Sequence, residues 1–272
     1  MQSQLPVVKL SQGIHVMHLF YRIDRVAWAH LSSGESEKAR LGLEKLCAEN
    51  AAASHPRISL FANVGGKADI AVMMLADELG KLGQLHRDIE KTFPPGTLET
   101  VYSYLSVTEL SEYTSTEEDY RRQLEREGLK PDTEEFNKKL EEQKTRIAEY
   151  SHYRLYPELP DWEIMCFYPM NKKREGADNW YALEPSARKQ LMAGHARVGR
   201  KYAGKISQLI TGSTGLDDWE WGVTLVAHQL DAIKDIVYEM RFDDVSARYG
   251  EFGEFYINLR ATPASLWQHL HL

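Results

Sequence analysis

The stretch RISLFANVGGKADIAVMML, residues 57–75, decides how this chain is expected to fold. Its two apolar runs, 57–64 and 68–75, have the composition and length typical of strands. Gly65-Gly66 lies between them, and paired glycines are a turn signal. The stretch therefore predicts two strands that follow each other directly along the chain.

The segments on either side predict the rest of one folding unit. Upstream, residues 13–24 are apolar with partial alternation, which favours a strand, and residues 32–50 show helical spacing of their leucines. Downstream, residues 77–91 have apolar side chains at helical spacing, and residues 98–110 alternate like a strand. The resulting order, β-α-β-β-α-β, is that of the ferredoxin-like unit.

The second half of the chain repeats this order, although no residue-level repeat links the halves. It has predicted strands at 162–168, 205–211, 220–227 and 254–259 and predicted helices at 185–198 and 228–240. We expect an α+β fold in which two ferredoxin-like halves pack as a dimeric α+β barrel. The predicted division is 1–113, 114–150 and 151–272, and the tail at 260–272 has no predicted place.

The central segment, residues 114–150, differs in composition from both halves. It contains 11 acidic and 8 basic residues and few apolar ones. Gly128 and Pro131 divide it into two helical pieces, and Thr116 and Thr133 are each placed to cap one. This charge pattern favours an exposed helical hairpin or linker, with a partner-binding arm as the alternative.

Composition excludes several classes of protein. The 272 residues are 43% hydrophobic, and no apolar run approaches the roughly 18 residues that a membrane-spanning helix requires. A net charge of −7 disfavours general nucleic-acid binding, which needs a basic surface. Two cysteines, Cys47 and Cys166, form no disulfide framework, and residues 1–10 lack the pattern of a secretory signal. These features favour a cytoplasmic protein.

Two features near the helix at 185–198 suggest ligand binding. Residues 199–205, GRKYAGK, nearly match a phosphate-binding loop, but Ile206 replaces the required hydroxyl and a helix precedes the motif. We therefore reject a nucleotide triphosphatase. His195 shares the apolar side of its helix, so it is either a core histidine or a single metal ligand such as haem requires.

Other candidate residues lie at strand ends and in loops. Tyr168 is expected to end a strand at Pro169, and Lys172 follows in a basic loop. Tyr168 is either a redox tyrosine or part of the core, and Gln208 is either a pocket residue or outward-facing. Arg241 is suited to binding a carboxylate, or belongs to a salt-bridged loop.

An ordered series of motifs resembles the chlorite-dismutase-like superfamily, and within it the coproheme decarboxylases, which are hydrogen-peroxide-dependent haem synthases. The series is YPMNK (168–172), His195 ahead of GRKYAGK (199–205), WGVTL (221–225) and YEMRFDDVSARYGEFG (238–253). The resemblance is dense from 153 to 259, and segment 114–150 is longer than the connection expected in this family.

The resemblance implies a homopentamer in which the second half binds iron coproporphyrin III (coproheme), with haem b as product. His195 would be the iron ligand, Tyr168 the radical-forming tyrosine and Lys172 the lysine near the second reactive propionate. Gln208 would lie on the distal side, where true chlorite dismutases have arginine. The residues implied to contact propionates are Arg154, Tyr156, Arg241 and Ser246. No carboxylate partner of His195 can be identified from the sequence.

Three alternatives remain open from the sequence. The chain is a haem or coproheme carrier without activity, a chlorite dismutase, or a barrel of this fold that binds no haem. Intact Tyr168 and Lys172 argue against the carrier, and Gln208 argues against chlorite chemistry. A direct contact with a ferrochelatase is a further possibility that the sequence does not decide.

Overall fold

The N-terminal half folds as the predicted unit in the computed structural model, which describes residues 5–51, 56–113, 116–131 and 133–272. One short helix, α1, was not predicted. The elements are β1 (His15–Ile23), α1 (Arg25–Ala29), α2 (Ser33–Glu49), β2 (Arg57–Asn63), β3 (Ile70–Ala76), α3 (Leu79–Thr92) and β4 (Leu98–Thr108).

A helical hairpin and the second unit follow. The hairpin consists of α4 (Glu117–Arg126) and α5 (Glu134–Leu155). The second unit consists of β5 (Ile164–Lys172), β6 (Arg174–Glu175), β7 (Asp178–Asn179), a 3-10 turn (Trp180–Ala182), α6 (Pro185–Arg200), β8 (Ile206–Gly212), β9 (Trp221–Ala227), α7 (Leu230–Met240), a π-helical turn (Val245–Tyr249), β10 (Gly250–Phe252), β11 (Tyr256–Arg260) and α8 (Pro263–Leu270).

Eight strands close into a barrel. They run in the order β5-β11-β2-β3-β1-β4-β8-β9, and β9 pairs again with β5. The two halves meet at two seams, where β11 pairs with β2 and β4 pairs with β8. Closure gives each strand an inner and an outer face, and the predicted α+β barrel of two ferredoxin-like halves is confirmed.

The inner face is filled by a core shared between the halves. Phe20 of β1 packs with Phe167 of β5 and Tyr256 of β11. His18, fully buried, stacks on Phe167 at 4.1 Å, and its Nε2 lies 2.9 Å from the Thr224 hydroxyl. Burial lowers the pKa of His18 to about 3, so this side chain joins the halves as a neutral imidazole.

Helices cover the outer face. On the N-terminal half, α2, α3 and α8 bury an apolar layer. Helix α8 belongs to the tail, residues 260–272, for which the sequence predicted no position. Trp267 of α8 packs edge-on against Trp28 at 5.9 Å and stacks on Phe93 at 5.6 Å. Within the described residues, no helix is long and apolar enough to cross a membrane.

The strand expected to end at Tyr168 instead continues through Pro169 to Lys172, so that prediction was wrong. Pro169 pairs with Gly222 on one side, and its carbonyl accepts a hydrogen bond from Gly253 on the other. The missing N–H faces this second side, at the gap between β10 and β11. A strand tolerates proline where no ladder donor is needed.

The central segment forms two helices, as expected, and this hairpin has a small core of its own. Leu124, Phe136 and Leu140 are buried together. Thr116 and Thr133 cap α4 and α5 as predicted, and α5 continues to Leu155, beyond the predicted limit of 150. The division at 113/114 and 150/151 stays a proposal; residues 1–4, 52–55, 114, 115 and 132 lie outside the described residues.

We expect His18 to make the stability of the barrel depend on pH. Its pKa in the folded state is lower than the ordinary value of 6.5, so the unfolded chain takes up the proton first as pH falls. This residue should therefore cost no stability above pH 7 and about 2 kcal/mol at pH 5. Urea unfolding between pH 4.5 and 8 measures the slope.

The matched variants are His18→Gln, which cannot take up a proton here, and His269→Gln, which changes an exposed histidine. The slope below pH 6.5 should become shallower in the first variant and stay the same in the second. An unchanged slope in His18→Gln would show that other groups cause the acid sensitivity.

Candidate functional site

Strand alternation places three candidate residues on the outer face of the C-terminal half. Tyr168 and Lys172 are four residues apart on β5, so they share a face. The register aligns Tyr168 with Val223 and Ile210, and the adjacent row aligns Cys166 with Leu225 and Gln208. Gln208 therefore lies on the same face as Tyr168, two strands away.

His195 lies on α6, which crosses this face. Its Nδ1 lies 3.0 Å from Oδ2 of Asp243. Asp243 is fixed in turn, because its carboxylate accepts hydrogen bonds from the Ser246 amide at 3.0 Å and the Ser246 hydroxyl at 3.2 Å. Burial opposes the charge on Asp243, but the hydrogen bonds from His195 and Ser246 hold its pKa below the ordinary value. The carboxylate thus places the imidazole proton on Nδ1 and leaves Nε2 able to bind a metal.

Helix α6 does not close against the sheet through apolar contacts. None of its 16 residues is buried, whereas α7 buries Ala232, Ile233 and Ile236. A Cβ added to Gly199 of α6 would lie 3.8 Å from Nε2 of Gln208. The helix that carries His195 therefore passes over Gln208, with a half-buried face toward the sheet.

Tyr168 is buried among aromatic rings beside a cation. It is 5% exposed and stacks on Phe255 at 4.3 Å, and the Arg241 guanidinium lies 3.8 Å from the centre of the Phe252 ring. Burial, with Cys166 adding to it and Arg241 opposing it, raises the pKa of Tyr168 far above its usual value. At neutral pH this phenol therefore stays protonated. Arg241 and Phe255 also line a groove of about 320 Å³ between α7 and the sheet.

The side chain of Lys172 is a largely buried ammonium group. It is 9% exposed, and its Nζ lies 4.9 Å from the centre of the Trp180 ring. Burial lowers its pKa to about 8, while the Asp243 and Glu220 carboxylates oppose this change. Buried cations of this kind cost stability, and they cluster at functional sites.

Arg154 and Tyr156 lie at the end of α5, near the seam between β4 and β8. Arg154 donates through Nη2 to the carbonyls of Glu109 and Ile210, at 3.4 and 3.3 Å, and its buried Nε has no partner among the described residues. The Tyr156 hydroxyl accepts from the Gly13 amide at 3.3 Å. These contacts involve none of the residues around His195.

The structure thus gathers most of the predicted site on one face, and it adds residues that the sequence did not indicate. Asp243, Trp180 and Glu220 were missed. Asp243 lies inside a motif used for the resemblance, but spacing alone cannot distinguish it from Asp244 as the partner of His195.

A single histidine is the available ligand for a metal at this position. Among the described residues, no group of three or more His, Cys, Asp or Glu side chains is placed to hold a metal ion. A porphyrin iron needs only one strong protein ligand, because the macrocycle supplies four nitrogens. His195 backed by Asp243 suits such a group.

Comparison with known proteins gives one family. Residues 37–261 match the family model for chlorite dismutase. A solved heme-binding protein from Thermus thermophilus is 35% identical, with 98% of each chain covered and a TM-score of 0.79. A mutant chlorite dismutase from Candidatus Nitrospira defluvii is 15% identical over 97% of this chain and 98% of its own, with a TM-score of 0.71.

We expect Lys172→Met to stabilise the ligand-free protein. The folded state holds the Lys172 proton less tightly than the unfolded chain, whose ordinary pKa is 10.5. Wild-type stability should therefore rise between pH 8 and 10.5, and the cost below pH 8 is about 3 kcal/mol. Replacing the ammonium with an apolar side chain of similar length should remove much of that cost.

Urea unfolding at pH 7 and pH 10 tests this, with the exposed neighbour in Lys173→Met as the matched control. Equal or lower stability of Lys172→Met at pH 7 would contradict a buried, poorly compensated ammonium.

Proposed function

Because this chain belongs to the chlorite dismutase family, we propose that it binds iron coproporphyrin III and decarboxylates two of its propionates with hydrogen peroxide, giving haem b. The observation that carries this proposal is a buried tyrosine, Tyr168, flanked by Arg241 and sharing its sheet face with Lys172 and with Gln208, over which the helix of His195 passes.

The residues present fit a porphyrin that carries four carboxylates. The half-buried face of α6 suits a flat apolar macrocycle, and His195 offers Nε2 while Asp243 holds the other nitrogen. Lys172 and Arg241 supply positive charge within an acidic chain, and a buried carboxylate requires such partners. Arg154, with its unpartnered Nε, and Ser246 are further proposed propionate contacts.

Each decarboxylation balances with one peroxide. One propionate, one hydrogen peroxide and one proton give one vinyl group, one carbon dioxide and two waters. The propionate loses two electrons, and the peroxide gains them. When bound, the porphyrin iron supplies the activation of peroxide; the remaining steps fall to side chains of this protein.

Tyr168 is the residue that we assign to hydrogen transfer. It gives up its proton and electron together, since its raised pKa prevents ionisation alone, and then takes a hydrogen atom from the β-carbon of a nearby propionate. Loss of a second electron releases carbon dioxide. We assign Arg241 and Lys172 to the carboxylates. We assign Gln208, on the sheet, to the side of the porphyrin opposite His195, where an amide accepts or donates hydrogen bonds without changing charge.

A haem or coproheme carrier is the second candidate, favoured by the relative described only as heme-binding. Chlorite dismutase activity is less well supported, since Gln208 is proposed where that chemistry uses arginine. The homopentamer, the transient ferrochelatase contact and the cytoplasmic location stay proposals.

We expect Tyr168→Phe to bind coproheme and leave it unconverted. The phenyl ring keeps the aromatic packing but lacks the phenolic O–H that takes part in the hydrogen transfer. Titration with hydrogen peroxide, followed by mass spectrometry of the porphyrin, should show two successive losses of carbon dioxide and hydrogen for the wild type and for Tyr238→Phe, which changes an exposed tyrosine. Normal two-step conversion by Tyr168→Phe would refute the tyrosine assignment, and binding without conversion by the wild type would favour a carrier.

We expect Asp243→Asn and His195→Ala to differ in their haem spectra. His195→Ala should lose the iron–histidine stretching band in the resonance Raman spectrum of the ferrous protein. Asp243→Asn should retain it at lower frequency, with affinity for hemin reduced about 10–100-fold, as for other partners of metal-bound histidines. An unchanged band in His195→Ala would exclude this residue as the ligand.

A further inference from the structure

At the end of β5 that carries Lys172, side chains continue the hydrogen-bonded ladder between β5 and β9. The last paired residues of the two strands are Met170 and Trp221. One step further, Oε2 of Glu220 accepts a hydrogen bond from the Lys172 amide at 3.1 Å, and Oδ1 of Asn171 accepts from the Glu220 amide at 2.8 Å. These two bonds replace the backbone pairs that would continue the ladder.

Glu220 is itself fixed and largely removed from water. It is 7% exposed, and its carbonyl accepts from the Ser213 amide at 2.8 Å. Its other carboxylate oxygen lies 3.7 Å from Nη1 of Arg174, whose side chain is 63% exposed. Burying a carboxylate costs free energy unless the charge is paired, so the partners of Glu220 indicate its role.

Two carboxylates act on the Lys172 ammonium, Asp243 more strongly and Glu220 less strongly. Asp243 already accepts hydrogen bonds from His195 and Ser246. Glu220 accepts from the Lys172 amide, interacts with the Tyr181 hydroxyl and faces a distant, exposed arginine. Of the groups around Lys172, Trp180 contributes only its ring face. Glu220 is therefore the second counter-charge of this lysine, after Asp243, and the one that also holds its backbone.

We propose that Glu220 is a positioning residue for Lys172, which fixes the strand end that carries the lysine and, together with Asp243, keeps its ammonium charged until an anionic ligand arrives. An incoming carboxylate then meets a cation that is already placed and protonated, and that has two carboxylates near it. The binding of a propionate by Lys172 rests on the proposed function, whereas the positioning of Lys172 by Glu220 does not.

The test measures Lys172 in the ligand-free protein. Wild type, Glu220→Gln, Glu220→Asp and the exposed control Glu175→Gln are labelled with acetic anhydride between pH 6 and 10, and peptide mass spectrometry gives the rate at Lys172. Glu220→Gln keeps a hydrogen-bond acceptor and loses the charge, so Lys172 should label about 3–10-fold faster at pH 7, a change of up to about one pKa unit. Glu220→Asp, which restores the charge, and Glu175→Gln should stay close to wild type.

Amide hydrogen exchange separates the effect of the Glu220 charge from the effect of its hydrogen bond to the Lys172 backbone. The Lys172 amide should exchange faster in Glu220→Ala, which removes the acceptor, and much less so in Glu220→Gln. Labelling and exchange at Lys172 that match the wild type in every Glu220 variant would overturn the proposal. If labelling changes as expected while the wild type converts no coproheme, the proposed function fails and the positioning role stands.

Discussion

Closure of eight strands into a ring is the constraint on which the rest of this structure depends. The two seams, β2 with β11 and β4 with β8, turn two half-sheets into one barrel with a sealed interior. Sealing removes unpaired strand edges, and it makes partners within the protein favourable for buried polar groups. The hydrogen bond between His18 and Thr224 shows this, since it joins one half to the other through a neutral imidazole.

The outer face of the ring is used differently by the two halves. On the N-terminal half, α2, α3 and α8 fill it with apolar side chains, including the Trp28, Phe93 and Trp267 cluster. On the C-terminal half, α7 packs closely while α6 leaves all its residues at least partly exposed. The apolar residues Leu191 and Met192 of α6 pack against Trp180, Val245 and Tyr249 rather than against the sheet. Polar contacts also hold the helix, such as Lys189 with Asp119 at 2.6 Å and His195 with Asp243. A helix held in this way leaves room for a ligand against the sheet.

The sequence by itself determined the order of the elements and most of the residues brought together in the candidate site. Apolar periodicity indicates which face each element buries, so it placed both β-α-β-β-α-β units. Residue type placed the helix caps at Thr116 and Thr133. The motif series indicated Tyr168, Lys172 and His195 through its resemblance to the chlorite-dismutase-like superfamily, because each motif is a short continuous stretch that can be recognised without the fold.

Tertiary structure alone decided which distant groups meet. Pro169 continues its strand because the neighbouring strand is interrupted there, and Asp243 rather than Asp244 contacts His195 because the π-helical turn orients it. Glu220 meets the Lys172 amide only where two strands separate. Each of these contacts joins elements far apart in the chain, so it depends on the register and closure of the barrel, which no local pattern of residues specifies.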